Sequence, residues 1–236
     1  MMSFVQKINT FLGYFLDAGA YREVLTGLKN TVIIAVLGLL LGIVIGTLIA
    51  AVRVAPKYSR LPRVLNKICD VYVAAFRGTP IVVQLLVFYY VLFPLMNARI
   101  TGMQVSILVF GLNSGAYVSE IMRSGIQSVD PGQMEAGRSL GLNFITTMCV
   151  IVIPQAVKNI LPTLGNEFIA LIKETSVISF VGALDLYVAF NRIGSNSYEF
   201  MVPYSVMAVI YILLVLLISL GIRAMERRFA RSDRRH

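Results

Sequence analysis

Arg77, Asn166, Glu167, Lys173 and Glu174 lie inside or at the edge of long apolar stretches. A charge or amide in such a setting is costly unless it is paired or wetted, so each one needs a reason. Arg77 stands immediately before Gly78, Thr79 and Pro80. A guanidinium there can hold a carboxylate, with backbone donors freed near Gly78 and Thr79 to help, or it can close a structural ion pair. Asn166 and Glu167 follow Pro162 and Gly165. A carboxylate at that place can hold an ammonium or a cationic side chain, or serve as an internal partner for Arg77 or Lys173. Lys173 and Glu174 are adjacent and point in different directions on a helix, which suits structural or gate-region pairs. Asn113 and Ser114 offer hydrogen bonds to the same cavity. Such groups can hold the two charges of a zwitterion along a path, or pair with one another inside the helices.

Chemistry that makes or breaks bonds is not written here. The single histidine is the terminal His236, which leaves no nucleophile–histidine pair. Cys69 and Cys149 stand alone, giving neither a disulfide framework nor a cluster with metal-ligand spacing. No G-x-x-x-x-G-K-[ST] loop is present to cradle ATP, so energy has to come from elsewhere.

A second group of residues has the spacing of a capped loop. Asp130, Pro131 and Gln133 read as N-cap, first helical residue and capping-box partner. Glu135, Ala136, Gly137, Arg138, Ser139 and Leu140 continue a short polar helix, and Gly141 suits its C-terminal stop. Nine residues later come Ile151, Val152, Ile153 and Pro154, an apolar stretch and a proline-led return into the membrane.

These residues are positioned by membrane spans. Of the 236 residues, 57% are hydrophobic and 14% charged, against about 45–50% and about 25% in soluble domains. The pattern predicts an all-α membrane protein with five spans: Leu28–Val54, a bent segment Leu61–Met96, Gly102–Met122, Gln155–Val181 and Val202–Met225. The second block is too long for one straight span, and Gly78 and Pro80 predict a break with helix up to Arg77 and a new piece from Pro80. Gly38, Gly42 and Gly46, spaced by four, give the first span a face for close backbone approach, within the subunit rather than between subunits. Residues 1–24 carry Phe4, Ile8, Phe11, Leu12, Phe15 and Leu16 at helical spacing, which predicts an amphipathic helix on the outer surface rather than a signal peptide.

The net charge of +9 reports orientation rather than nucleic-acid binding. Arg53, Lys57, Arg60, Arg63 and Lys67 follow the first block. Arg123, Arg138 and Lys158 flank the capped loop, and Arg223, Arg227, Arg228, Arg231, Arg234 and Arg235 end the chain, making 14 of the 21 Lys and Arg residues on one side. Lys7, Arg22, Lys29, Arg99 and Arg192 fall on the other. The N-terminus is therefore expected outside and the C-terminus in the cytoplasm.

The loop resembles the signature of ABC importer permeases, Glu-Ala-Ala, three residues, Gly, nine residues, Ile-x-Leu-Pro. It matches at Glu135, Ala136, Gly141, Ile151 and Pro154 and departs at Gly137, where the family has alanine, and conservatively at Ile153. Glycine within a helix costs about 1 kcal/mol against alanine, so the departure predicts a slightly weaker coupling helix. Phe76–Pro80, Ala116–Ile121, Gly125–Val129 and Lys173–Ser176 are similar to the polar amino-acid branch, the histidine, glutamine, arginine and cystine permeases. The opening run from Leu25 through Asn30 and Thr31 is similar as well.

The resemblance implies a type I importer transmembrane domain over 25–228 with a cytoplasmic coupling loop at 127–154, followed by a basic tail at 229–236. It also implies transport of a polar or basic amino acid and no cofactor on this chain, ATP and Mg being held by the partner ATPase. The implied partners are an ABC ATPase dimer, a second permease (identical or homologous), an extracytoplasmic amino-acid-binding protein, the amino-acid substrate and membrane lipid, without nucleic acid. Glu135, Ala136 and Gly141 then serve ATPase coupling in a multi-pass protein of the bacterial cytoplasmic membrane. Arg77, Asn113, Ser114, Asn166 and Glu167 are the candidate substrate path. An ion-coupled secondary transporter is the alternative, but it calls for paired broken helices in corresponding halves, and only one break is evident. A channel would leave the capped loop unexplained.

Overall fold

A computed structural model describes residues 3–54 and 60–233, with side chains as far as Arg227. Lys57, Arg234, Arg235 and His236 lie outside the described residues, as do the side chains of Arg228 and Arg231. Among the described residues the chain is helical, without a strand. The helices are α1 (Phe4–Leu12), α2 (Tyr21–Val54), α3 (Arg60–Gly78), α4 (Ile81–Val87), α5 (Phe93–Leu95) and α6 (Gly102–Gln127). They continue as α7 (Pro131–Ser139), α8 (Phe144–Thr147), α9 (Ile153–Glu174), α10 (Leu186–Ser197) and α11 (Met201–Asp233). Four stretches are long and apolar enough to cross a membrane, and a sharply bent pair, Arg60–Gly78 with Ile81–Leu95, raises that to five if it counts as one span.

Local sequence explains most ends. Ser3 and Gln6 form a capping box at the start of α1, and Thr101 and Gln104 exchange the same pair of bonds before α6. The predicted break is found, one residue later than expected: α3 runs through Gly78, and Pro80, with ψ 139°, is the cap from which α4 starts. Two π-turns carry the chain past prolines. Phe93 N bonds to Phe88 O just before Pro94, and Ile153 N bonds to Met148 O just before Pro154. A proline ring clashes with the carbonyl four residues back, and widening the turn by one residue relieves that.

Three expected boundaries change. The amphipathic segment is not one helix over 1–24: α1 ends at Leu12, a π-turn follows over Gly13–Asp17, and Gly19, at φ +74°, precedes the start of α2 at Tyr21. The first span therefore begins seven residues before Leu28. The fourth begins at Phe144 rather than Gln155, because Asn143 caps it by accepting from Thr146 N at 2.8 Å. Pro154 thus lies within an apolar rod and does not lead it.

The chain divides into two compact units: 1–38 with 80–110 and 170–217, and 39–79 with 111–169 and 218–236. In the first, α10 buries Leu186, Ala189, Phe190 and Ile193, one helical face, together with Phe11 of α1, Val24 and Val202. Phe11 is the buried part of the α1 stripe, while Phe4, Leu12 and Leu16 stay exposed. In the second, Val118 of α6 and Ala156, Ile160 and Leu164 of α9 share a core with Val129 and Val152. There α2 and α6 interlock by glycines from both sides. A Cβ on Gly42 would stand 2.7 Å from the Ser114 side chain and one on Gly46 2.6 Å from Val118, while Gly111 and Gly115 of α6 receive Leu41 and Ile45 in return. Small residues let backbones approach where lipid offers no competing hydrophobic drive. Leu213, Leu216 and Leu220 stand exposed along one face of α11.

Candidate functional site

The loop helix α7 is built almost wholly from local bonds. Asp130 Oδ1 accepts from Gly132 N at 2.8 Å, and Pro131 occupies the first helical position, where no N–H is needed. The expected capping box does not form. Asp130 closes a tight turn onto the second helical residue, and the Gln133 side-chain Oε1 instead accepts from Gln155 Nε2 of α9 at 3.2 Å. At the other end Gly141, at φ +84°, turns the chain. Its N–H reaches Arg138 O at 3.0 Å, and Leu142 N reaches Gly137 O at 3.2 Å. This is the paired C-terminal stop in which glycine carries the left-handed residue.

α7 has two faces. Gly137 is buried, and a Cβ there would stand 2.5 Å from Thr147 Cγ2 and 3.1 Å from Ile151 Cδ1. Glu135, Ala136, Arg138 and Leu140 are exposed, Leu140 at 82%. The glycine at which the loop departs from the signature is thus the point where the helix rests on the start of the fourth span.

Within the same unit, α3 and α6 bring part of the predicted path together. Arg77 is exposed at the end of α3, with its guanidinium 5.2 Å from the centre of the Tyr117 ring. Asn113 donates to Phe76 O at 3.3 Å, Tyr72 Oη donates to Leu112 O, and the rings of Tyr72 and Phe76 lie 4.7 Å apart. Ser114 behaves differently: it is fully buried against Gly42 and serves the α2–α6 contact rather than open space. Asn166 is exposed and Glu167 half-buried on α9, in the stretch where Gly165 receives Ile222 of α11. Lys173 is exposed and Glu174 half-buried where α9 ends.

Two features were missed from sequence. Tyr117, the aromatic face beneath Arg77, lies four residues after Asn113, and that spacing placed both on one face of α6. The other is an ionic knot. Arg53, at the end of α2, pairs with Glu120 of α6 and with Asp70 of α3 at 3.1 Å, and Arg123 closes on Glu120 at 2.6 Å. Arg53 and Glu120 are 16% and 18% exposed. Only the Glu120–Arg123 spacing was readable as a neighbour pair on a helix. Among the described residues no group of three or more His, Cys, Asp or Glu is placed to hold a metal ion.

A helical chain with four or five apolar spans and a capped loop helix showing one exposed face defines a multi-pass membrane component. Residues 38–231 match the family of binding-protein-dependent transport system inner membrane components, and the chain belongs to that family. It is similar to a putative glutamine transport system permease protein of Rickettsia bellii, 38% identical over 87% of this chain and 92% of that protein. An L-cystine transport system permease protein of Bacillus subtilis is 36% identical over 95% of this chain and 94% of that protein. The fold matches a crystal structure of an amino acid ABC transporter with histidines at a TM-score of 0.83 and 35% identity, over 91% of this chain and 98% of that one. The protein is the transmembrane component of a transporter in the inner membrane, and ATP hydrolysis belongs to a partner ATPase.

Proposed function

We propose that this chain is the permease subunit of an importer for a polar or basic amino acid, with its N-terminus outside and its C-terminus in the cytoplasm. The relatives named for glutamine and cystine support the substrate class. Two permeases, identical or homologous, form the pathway above two ATPases, which hold ATP and Mg, and an extracytoplasmic binding protein delivers the amino acid. The observation that carries the coupling role is the two-faced α7: Gly137 seats it on its own subunit, and Glu135, Ala136 and Arg138 remain free for the ATPase. Gly141 sets where that helix ends. ATP-driven closure of the ATPase dimer draws the paired α7 helices together and turns an inward-facing cavity outward.

Arg77, Asn113, Asn166 and Glu167 line the substrate path in this reading, with Tyr117 shaping the face on which the Arg77 guanidinium lies. Gly78 and Pro80 mark the break that opens backbone groups beside it. Ser114, buried in helix packing, is left out of the path. α1 lies at the outer surface, and the basic tail lies on the cytoplasmic side, where anionic lipid favours it.

The test is ATP-dependent uptake in proteoliposomes holding the complex with its ATPase and binding protein. Glu135→Lys should abolish substrate-stimulated ATPase activity, and unchanged stimulation with intact assembly would overturn the coupling role. Glu167→Gln should weaken apparent affinity, and unaltered transport would remove it from the path. Labelling of single cysteines at the two ends from outside the vesicle reads the orientation.

A further inference from the structure

In the first unit, the turn that leads into α10 is buried, polar and incompletely paired. Asp185 caps α10, its Oδ1 accepting from Val188 N at 2.8 Å, yet the residue is fully buried and Oδ2 has no hydrogen-bond partner among the described residues. Tyr211 of α11 lies close enough to feel the Asp185 charge, and its buried hydroxyl also lacks a partner. The hydroxyls of Thr31 and Thr175 stand beside the Tyr211 hydroxyl without completing a bond to it. Both threonines are fully buried and engaged elsewhere: Thr31 Oγ1 accepts from Leu186 N at 3.3 Å, and Thr175 Oγ1 donates to Ile172 O at 2.8 Å.

Among the described residues no lysine or arginine acts on Asp185, which feels backbone N–H groups at the start of α10 besides its burial. Burial pushes its carboxyl up to about 6, against which the Val188 and Tyr187 N–H groups work, and Oδ2 is left short of a partner. Buried polar atoms in folded proteins are almost always paired, and a pair of orphans from two helices in one polar spot is the setting of a buried water. A water supplies both needs at once, donating to the carboxylate and accepting from or donating to the phenol. A divalent cation fits poorly, because such ions take six or more oxygens, several of them carboxylates, and this cluster has one carboxylate.

We propose that Asp185, Tyr211, Thr31 and Thr175 enclose a binding site for a single structural water that bridges Asp185 Oδ2 to the Tyr211 hydroxyl. The bridge pins the first turn of α10 to α2 and α11. It acts beside two direct fastenings of the same turn, Asn30 Nδ2 donating to Leu184 O at 2.8 Å and Gly27 of α2 pressed on the Asp185 carbonyl. α10 carries the largest share of the first unit's buried core. The site therefore holds in place the element on which that core is built.

The sign of one substitution separates a bridged hydroxyl from a dry one. Removing a hydroxyl with no partner relieves a penalty, whereas removing one that holds a water leaves Asp185 worse paired. Thermal unfolding of the purified full complex is measured for Tyr211→Phe, Asp185→Asn and the double variant, in sodium, potassium and choline buffers. The expected result is a midpoint lowered by about 2–4 °C in Tyr211→Phe, a double variant that loses less than the sum of the singles, and no dependence on the cation. A density feature between the two side chains in a high-resolution map is expected with it. A raised or unchanged midpoint in Tyr211→Phe, additive losses, or a loss confined to sodium buffer each overturns the water bridge, the last in favour of a monovalent cation.

Discussion

Replacing Gly137 by alanine sets two effects against each other in α7, the helix proposed to couple the permease to its ATPase. Alanine is the better helix former by about 1 kcal/mol, so the signature alone predicts that Gly137→Ala strengthens α7. The structure predicts the reverse. The new Cβ would stand 2.5 Å from Thr147 Cγ2, 3.1 Å from Thr147 Oγ1 and 3.1 Å from Ile151 Cδ1. Thr147 cannot swing aside freely, because its hydroxyl donates to Asn143 O at 2.9 Å and it is fully buried. Extra carbon in a packed site costs about 1–3 kcal/mol, and a contact this short belongs in the upper half of that range. The net is a loss of about 1 kcal/mol, read as a fall of about 2–4 °C in the unfolding midpoint of the complex. Substrate-stimulated ATPase activity should fall with it, since α7 can only keep its new methyl by tilting off Thr147 and carrying Glu135 away. Thr147→Ser removes Cγ2 and retains the bond to Asn143, so it should restore both readouts in the Gly137→Ala background. A higher midpoint for Gly137→Ala alone, or no rescue by Thr147→Ser, would refute the packing argument in favour of helix propensity.

Three further outcomes follow from the same geometry. Gly27→Ala puts a methyl on the Asp185 carbonyl, backbone that cannot rotate away. It should cost about 3 kcal/mol or more, seen as lost yield of folded protein in detergent, whereas Gly78→Ala, whose Cβ meets nothing within 4 Å, should be accepted. Glu120→Gln removes the anion that Arg53 and Arg123 share. The pairs are largely but not fully buried, so a loss of about 1–3 kcal/mol in thermal stability is expected, and an unchanged midpoint would show that the knot is solvated. Glu199 is opposed by its burial, but the N–H groups of Val202 and Met201 and the Lys7 ammonium at 3.0 Å hold its carboxyl below the usual range. Its stabilising contribution is present above the ordinary carboxylate pKa and fades as pH falls through the lowered one. Melting curves of Glu199→Gln and the parent should therefore converge towards acid pH, and a constant gap across that window would remove Glu199 as the source.

What could be read directly from the chain was what short stretches decide. The apolar runs, the break at Gly78 and Pro80, and the start and stop of α7 at Asp130 and Gly141 depend on residues within a few positions of one another, as caps and turns do. The chain also carried the family, because the loop signature is local too. Some local readings still erred: the fourth span was begun at Pro154 and Gln155, since proline is the louder signal, while the cap at Asn143 and the π-turn that absorbs the proline are quieter.

Tertiary structure alone decided which way each helix is turned about its axis. α2 is apolar around its whole circumference, and lipid is as apolar as a neighbouring helix, so its pattern does not say which side meets protein. Only the fold shows that Gly42 and Gly46 meet Ser114 and Val118, which takes Ser114 out of any cavity. Arg53 and Glu120, 67 residues apart, likewise become one ion pair only when α2 and α6 close on their glycines. Gly137 shows the difference most sharply. By sequence it is a flaw in a helix, and by structure it is the one residue small enough to let α7 rest on Thr147, because close packing is a property of two surfaces and a sequence position describes only one.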